Sequence, residues 1–141
     1  MTESPMLSKK TQYAFKALTY IAEKKKDGPV LIAEIAKKKK IPLKFLENIL
    51  LELKKAGLLE SKKGKGGGYF FKEDPAYIPL AQVMRLIEGP IALLPCVSLN
   101  FYQRCKDCDE KKCGLNRVMT LVRDNTLMIL EKKTVADLVA R

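Results

Sequence analysis

The residues that decide the fold are Leu31–Tyr69, LIAEIAKKKKIPLKFLENILLELKKAGLLESKKGKGGGY. Ile32, Ile35 and Ala36 fall on one face of a short helix, and the Ile41-Pro42 step interrupts it. Leu46, Ile49, Leu50 and Leu53 then recur at i, i+3, i+4, i+7, the apolar stripe of a second helix. Pro42 suits the first turn of that helix, where its missing N–H costs nothing. Ala56-Gly57 closes it, because glycine accepts the left-handed conformation of a helix end. Leu58 to Lys62 reads as a strand, Lys63 to Gly68 as a glycine-rich turn and Tyr69 to Lys72 as the return strand. Helix, turn, helix and basic hairpin together predict a winged helix-turn-helix, whose second helix enters the DNA major groove.

Working outward, Ser8 is placed to cap a helix over Lys9–Lys26 with the stripe Tyr13, Ala14, Ala17, Leu18, Ile21 and Ala22. Phe15 and Tyr20 fall off that stripe and are expected to face another element or a partner chain. Residues 1–7 read as a loose tail. Downstream, Pro79 opens a helix through about Glu88, with Leu80, Val83, Met84 and Ile87 apolar, and Gly89-Pro90 stops it. Ile91 to Lys112 shows no period. Leu115 to about Lys132 is helical again, with Leu115, Val118, Met119, Val122 and Ile129 on one stripe and Leu121 and Met128 beside it. That apolar surface is wider than a small domain needs to cover, so Val118, Val122 and Ile129 are expected in a homodimer interface. Thr134 to Asp137 fits a capping box on a last short helix. The fold class is therefore mainly α with a small β-hairpin wing, plus a long C-terminal dimerisation helix. Residues 1–77 form the DNA-binding unit and 78–141 a cysteine-loop and dimerisation region.

Charge and composition agree with that assignment. Of 141 residues, 47% are hydrophobic, enough for a core. The net charge is +11. Residues 1–72 carry 17 Lys and Arg against 7 Asp and Glu, and residues 73–141 carry 10 against 9, so the positive field lies on the half that holds the helix-turn-helix. On that pattern a basic half points to double-stranded DNA. No apolar run reaches the ~18 residues of a membrane helix, and MTESPMLSKK lacks the apolar stretch of a signal peptide. A cytoplasmic protein with no membrane partner is expected.

At the helix-turn-helix, Lys44, Phe45, Glu47 and Asn48 point away from the inward stripe, at the end of the helix best placed to reach base edges. Lys44 suits guanine or a phosphate, and Glu47 suits cytosine N4 or else a neighbouring lysine of its own helix. Phe45 either meets a thymine methyl or sugar or completes the core. In the wing, Lys62, Lys63 and Lys65 are candidates for the minor groove or its rim. The surrounding glycines permit a tight turn and a close approach to phosphate. GKGGG is not a nucleotide loop: it lacks the GxxxxGK[ST] order, and no helix opens after it. With no histidine in the chain and no nucleophile–base set, the protein is not expected to be an enzyme.

Cys96, Cys105, Cys108 and Cys113 are the only cysteines, spaced C-x8-C-x2-C-x4-C. Clustered cysteines in such a chain suit metal or redox chemistry better than structural disulfides. Sulfur favours an iron–sulfur cluster or zinc. Reversible thiol–disulfide pairing remains an alternative.

LSKKTQYAFKAL, GPVLIAEIAKKKKIPLKFLENILLELKKAGLLES and KGKGGGYFF, followed by a cysteine loop and a long helix, resemble the Rrf family of winged-helix regulators, of the IscR, NsrR and CymR type. The resemblance covers nearly the whole chain and is most specific in FLENILLELKKAGLLES and GKGGGY. It implies a homodimeric bacterial transcription regulator, in most cases a repressor. It also implies an iron–sulfur cluster, 2Fe–2S or 4Fe–4S, bound by three loop cysteines, which match Cys96, Cys105 and Cys113. Cys108 is an addition, which could replace Cys105 or supply a fourth thiolate. The family's usual fourth ligands, a histidine after the last cysteine or an acid in the first helix, correspond here to Asn116 and Gln12, which favours an all-cysteine site. Other family members lack the cluster and answer to a partner protein. Lys44, Phe45, Glu47 and Lys63 match the family's DNA contacts.

Overall fold

The computed structural model describes residues 7–140; residues 1–6, most of the expected tail, lie outside it, as does residue 141. Helix α1 (Lys9–Glu23) opens on Ser8, whose side chain accepts the Thr11 N–H. It ends three residues earlier than predicted, because Lys25–Asp27 tighten into a 3-10 turn before Gly28. Ala14, Ala17, Leu18 and Ile21 are buried as their spacing requires. Tyr20 is buried as well, and its partner lies within the chain. Its hydroxyl donates to the Glu34 carboxylate, and the Lys24 and Lys39 ammonium groups lie 5.8 and 5.7 Å from its ring centre. Phe15 packs against the same core.

The Tyr20 hydroxyl is pushed up to about 12 from the ordinary tyrosine value of 10.0, first by its hydrogen bond to Glu34 and then by burial. Folding thus favours the protonated phenol. The stabilisation is complete below pH 10.0 and is lost as the pH rises through about 12. In an alkaline titration of phenolate absorbance, Tyr20→Phe is expected to remove a component near pH 12 and to lower Tm by a few degrees at neutral pH. Loss of a component near pH 10.0 instead would show that the Glu34 contact does not form.

Helix α2 (Ile32–Lys39) ends on Lys40 in the left-handed region, φ 55°, and Pro42 then opens α3 (Leu43–Lys55). Leu46, Ile49, Leu50 and Leu53 are all fully buried. Each contributes about 1.5–3 kcal/mol by leaving water, and together they set which side of α3 faces out. Strands β1 (Leu59–Lys62) and β2 (Gly68–Phe71) pair antiparallel, Leu59 opposite Phe71 and Lys62 opposite Gly68. Val30 extends this hairpin through a bridge to Tyr69. Helix α4 (Leu80–Ile87) follows, then an irregular stretch with a 3-10 turn at Pro95–Val97, and then α5 (Gly114–Lys132). Thr134 and Asp137 form the expected capping box, on a 3-10 turn, Val135–Leu138. Val135 is fully buried in the same core as Leu18 and Leu53, and Thr134 bridges Pro79. The chain therefore returns to its N-terminal half after α5.

Candidate nucleic-acid interface and cysteine centre

On α3 the inward stripe leaves Lys44, Phe45, Glu47 and Asn48 exposed. Glu47 and Lys44 make no hydrogen bond or ion pair among the described residues, so the intrahelical role open to Glu47 is not taken up. Phe45 divides its ring between two environments. It is 39% exposed and meets Tyr13 edge-on, with ring centres 5.6 Å apart and planes at 85°. Two other cations on this side are engaged: Lys10 pairs with Glu52 at 2.7 Å and Lys54 donates to Ser61 at 2.7 Å. Lys62, Lys63 and Lys65 are exposed and likewise unengaged among the described residues.

The wing glycines have a role that reading the sequence missed. A side chain on Gly68 would overlap the Val30 carbonyl, and one on Gly67 would overlap the carbonyl of Lys62. The close backbone approach at these two positions is therefore to the chain itself. Val30 and Tyr69 exchange both hydrogen bonds there, at 2.8 and 2.7 Å, and so hold the wing against the segment that enters α2.

Cys96 and Cys113 meet at Asn116, at the N-terminus of α5. Cys113 is the cap of that helix, its sulfur accepting the Asn116 N–H at 3.4 Å. The Asn116 amide reaches across to donate to the Cys96 sulfur at 3.3 Å. Cys105 donates to the Lys106 carbonyl at 3.5 Å. Cys105 is exposed and the other three are half-buried. The Asn116 N–H at its sulfur holds the Cys113 thiol below its ordinary value. Burial, and then Cys113, pushes Cys108 up to about 11. Among the described residues no three Cys, Asp or Glu side chains stand ready-made as a metal site. The donor set nonetheless suits a soft metal: four sulfurs on one loop, one of them at the positive end of a helix dipole. The two positions where a histidine or acid would have served are otherwise occupied. Asn116 links Cys96 to Cys113, and the Gln12 amide donates to the Leu7 carbonyl at 2.9 Å.

Helix α5 is inside out for a monomer. No residue of it is buried. The half-buried side turned to its own chain includes Asn116, Thr120, Arg123 and Thr126, while Leu115, Val118, Leu121, Val122, Met128 and Ile129 are exposed. Val118, Val122 and Ile129 thus share the outer face, and Met119, expected with them, turns inward. A contiguous exposed apolar stripe of this kind marks an interaction surface.

No helix among the described residues is long and apolar enough to cross a membrane. The family model described as "Rrf2: Iron-dependent Transcriptional regulator" matches residues 7–141. An rrf2-like HTH-type transcriptional regulator of Rhodobacter capsulatus is 40% identical over 139 residues, covering 96% of this chain and 93% of that protein. The HTH-type transcriptional regulator IscR of Photobacterium profundum is 36% identical over 90 residues, covering 64% of this chain and 52% of its own. Among solved structures, CymR, the global cysteine regulator of B. subtilis, superposes with a TM-score of 0.77 at 27% identity, over 98% of this chain and 96% of that one.

Proposed function

Because the chain belongs to the Rrf2 family of transcriptional regulators, we propose that it is a cytoplasmic homodimer that binds operator DNA and acts as a repressor, its affinity set by the state of the cysteine loop. The observation that carries the DNA reading is the set of exposed, unengaged side chains on α3 and the wing. Lys44, Phe45, Glu47 and Asn48 read the major groove, and Lys62, Lys63 and Lys65 hold the backbone or minor groove beside it. Residues 1–77 supply these contacts. Residues 78–141 supply the sensor loop and, through Val118, Val122 and Ile129, the contact between protomers.

Two variants test this division of labour. Log affinity falls with log salt by about 0.9 for each phosphate neutralised. Lys63→Ala is expected to weaken binding to all duplexes and to reduce that slope by about one. Glu47→Ala is expected to relax the preference at one base pair, by about 1–3 kcal/mol of discrimination. Competition binding against single-base operator variants measures both. A salt-independent affinity would remove the electrostatic part, and unchanged base preference in Glu47→Ala would remove the readout part.

For the sensor, Cys96, Cys105, Cys108 and Cys113 hold an iron–sulfur cluster, with Cys108 in place of the family's varying fourth ligand. Such a centre supplies sensitivity to iron supply, redox state or nitric oxide. The protein's own contribution is to bring Cys96 and Cys113 to Asn116 at the α5 N-terminus and to prepare Cys113 for ligation through the Asn116 N–H. The test is an anaerobic reconstitution with iron and sulfide counted per dimer, followed by operator binding of loaded and iron-free protein. Cys96→Ser, Cys105→Ser and Cys113→Ser are each expected to abolish loading and leave a folded dimer. Loss in Cys108→Ser as well marks a four-cysteine site. Four free thiols on one loop favour one second reading, a thiol–disulfide switch. Full DNA regulation in protein that binds no iron would select it.

A further inference from the structure

Glu88 follows α4 at the point where the chain leaves for the cysteine loop. Its carboxylate reaches back 80 residues in sequence to the start of α1. It accepts from the Ser8 N–H at 3.0 Å, the Ser8 hydroxyl at 2.6 Å and the Thr11 hydroxyl at 2.6 Å. Thr11 is fully buried, and Glu88 is half-buried beside it. A carboxylate against the first turn of α1 also meets the positive end of the helix dipole. These bonds, the Ser8 hydroxyl first, hold the Glu88 carboxyl below its ordinary range.

The other end of the same loop is tied to α5. Asn116 holds Cys96, and the Arg123 guanidinium donates to the Val97 carbonyl at 2.8 Å. The segment between Glu88 and Val97 is thus strung between α1 and α5, with Cys96 inside it. The first turns of α1 bear directly on the recognition helix, since Lys10 pairs with Glu52 and Tyr13 meets Phe45. Packed helices shift between discrete seatings rather than bending continuously, so displacement of the α1 N-terminus carries Lys10 and Tyr13 against α3.

We propose that Glu88 is the positioning residue through which the cysteine loop sets the seating of α3, by way of Ser8 and Thr11 on α1. The inference rests on the reading of the cysteines as a sensor and supplies its route to the DNA face within one protomer.

The test compares wild type with E88Q, using a duplex selected by the wild-type protein from random sequence. The ratio of DNA affinities between reconstituted and iron-free protein is measured for each. Hydrogen exchange of the α1 amides near Ser8–Tyr13 is followed in the same samples. Wild type is expected to show a ratio of about 5–150-fold, the usual range of such couplings, together with an exchange difference at the start of α1. In E88Q, still dimeric and helical by light scattering and circular dichroism, both are expected to collapse, the ratio to within about twofold of one. Should E88Q fail to fold, the double variant Ser8→Ala, Thr11→Ala removes the hydroxyl donors and leaves the carboxylate, with the same expected loss. An E88Q protein that keeps the wild-type ratio and exchange difference overturns the inference alone. A wild-type ratio of one overturns the sensor reading and the inference with it.

Discussion

Ile129→Glu is expected to give a folded protomer that is monomeric at micromolar concentration and has lost specific operator binding. Ile129 is 58% exposed in the single chain, so a glutamate there costs the protomer little. In a two-fold interface the same substitution enters twice, and each copy leaves an unpaired charge in an apolar contact. At about 3–5 kcal/mol for each uncompensated charge, the dimer constant weakens by more than about four orders of magnitude. Operator binding falls with it, since two recognition helices are needed to span half-sites about one DNA turn apart. Light scattering and an operator titration on one sample measure both effects. A variant that remains a dimer would place the interface elsewhere than the outer face of α5.

The second large effect is expected at the wing. Gly68 has φ +138°, a conformation that other residues rarely adopt. Gly68→Ala adds strain and drives a methyl group into the Val30 carbonyl, breaking the pair of hydrogen bonds between Val30 and Tyr69. Backbone strain and two lost bonds together cost about 2–5 kcal/mol. Urea unfolding should show a lowered midpoint. DNA affinity should fall for all sequences alike, because Lys62, Lys63 and Lys65 lose their fixed position beside α3. A variant with the wild-type midpoint would show that the wing does not depend on its contact with Val30. Gly64→Ala serves as a comparison, for it too has positive φ but open space around it, and only strain is expected there.

Local chemistry alone reaches a long way in this chain. Periodicity in α3 names its four buried residues, because an amphipathic helix has one way to turn when its partner is a core. The Ser8 cap, the Gly57 turn after α3 and the Thr134–Asp137 capping box are each readable within a few residues, since each satisfies backbone groups of its own neighbours, and Pro42 is readable at the entry to α3 because its ring fixes φ where a missing N–H costs nothing. The same holds for the outward positions of Lys44, Phe45, Glu47 and Asn48, which follow from the inward stripe. The uneven distribution of charge and the C-x8-C-x2-C-x4-C spacing are likewise plain in the linear chain.

What the folded structure decided are the contacts between residues far apart in sequence. Tyr20 falls outside its helix's apolar stripe, yet Glu34 and two lysines from other turns give it a buried place. The Gly68 requirement comes from Val30, 38 positions earlier, and nothing in GKGGG alone separates it from a phosphate approach. Asn116 stands where a family resemblance puts a ligand, and only the convergence of Cys96 and Cys113 gives its amide a use. Glu88 closes a helix and would pass for a solvated end residue, but Ser8 and Thr11 meet it across the fold. Met119 and Ile129 are both apolar and lie on one idealised stripe, and only the packing of α5 on α4 turns one inward and the other out. Periodicity registers a helix's apolar face against whatever covers it; which neighbour does so is settled by how the elements pack, information that no short window of the chain contains.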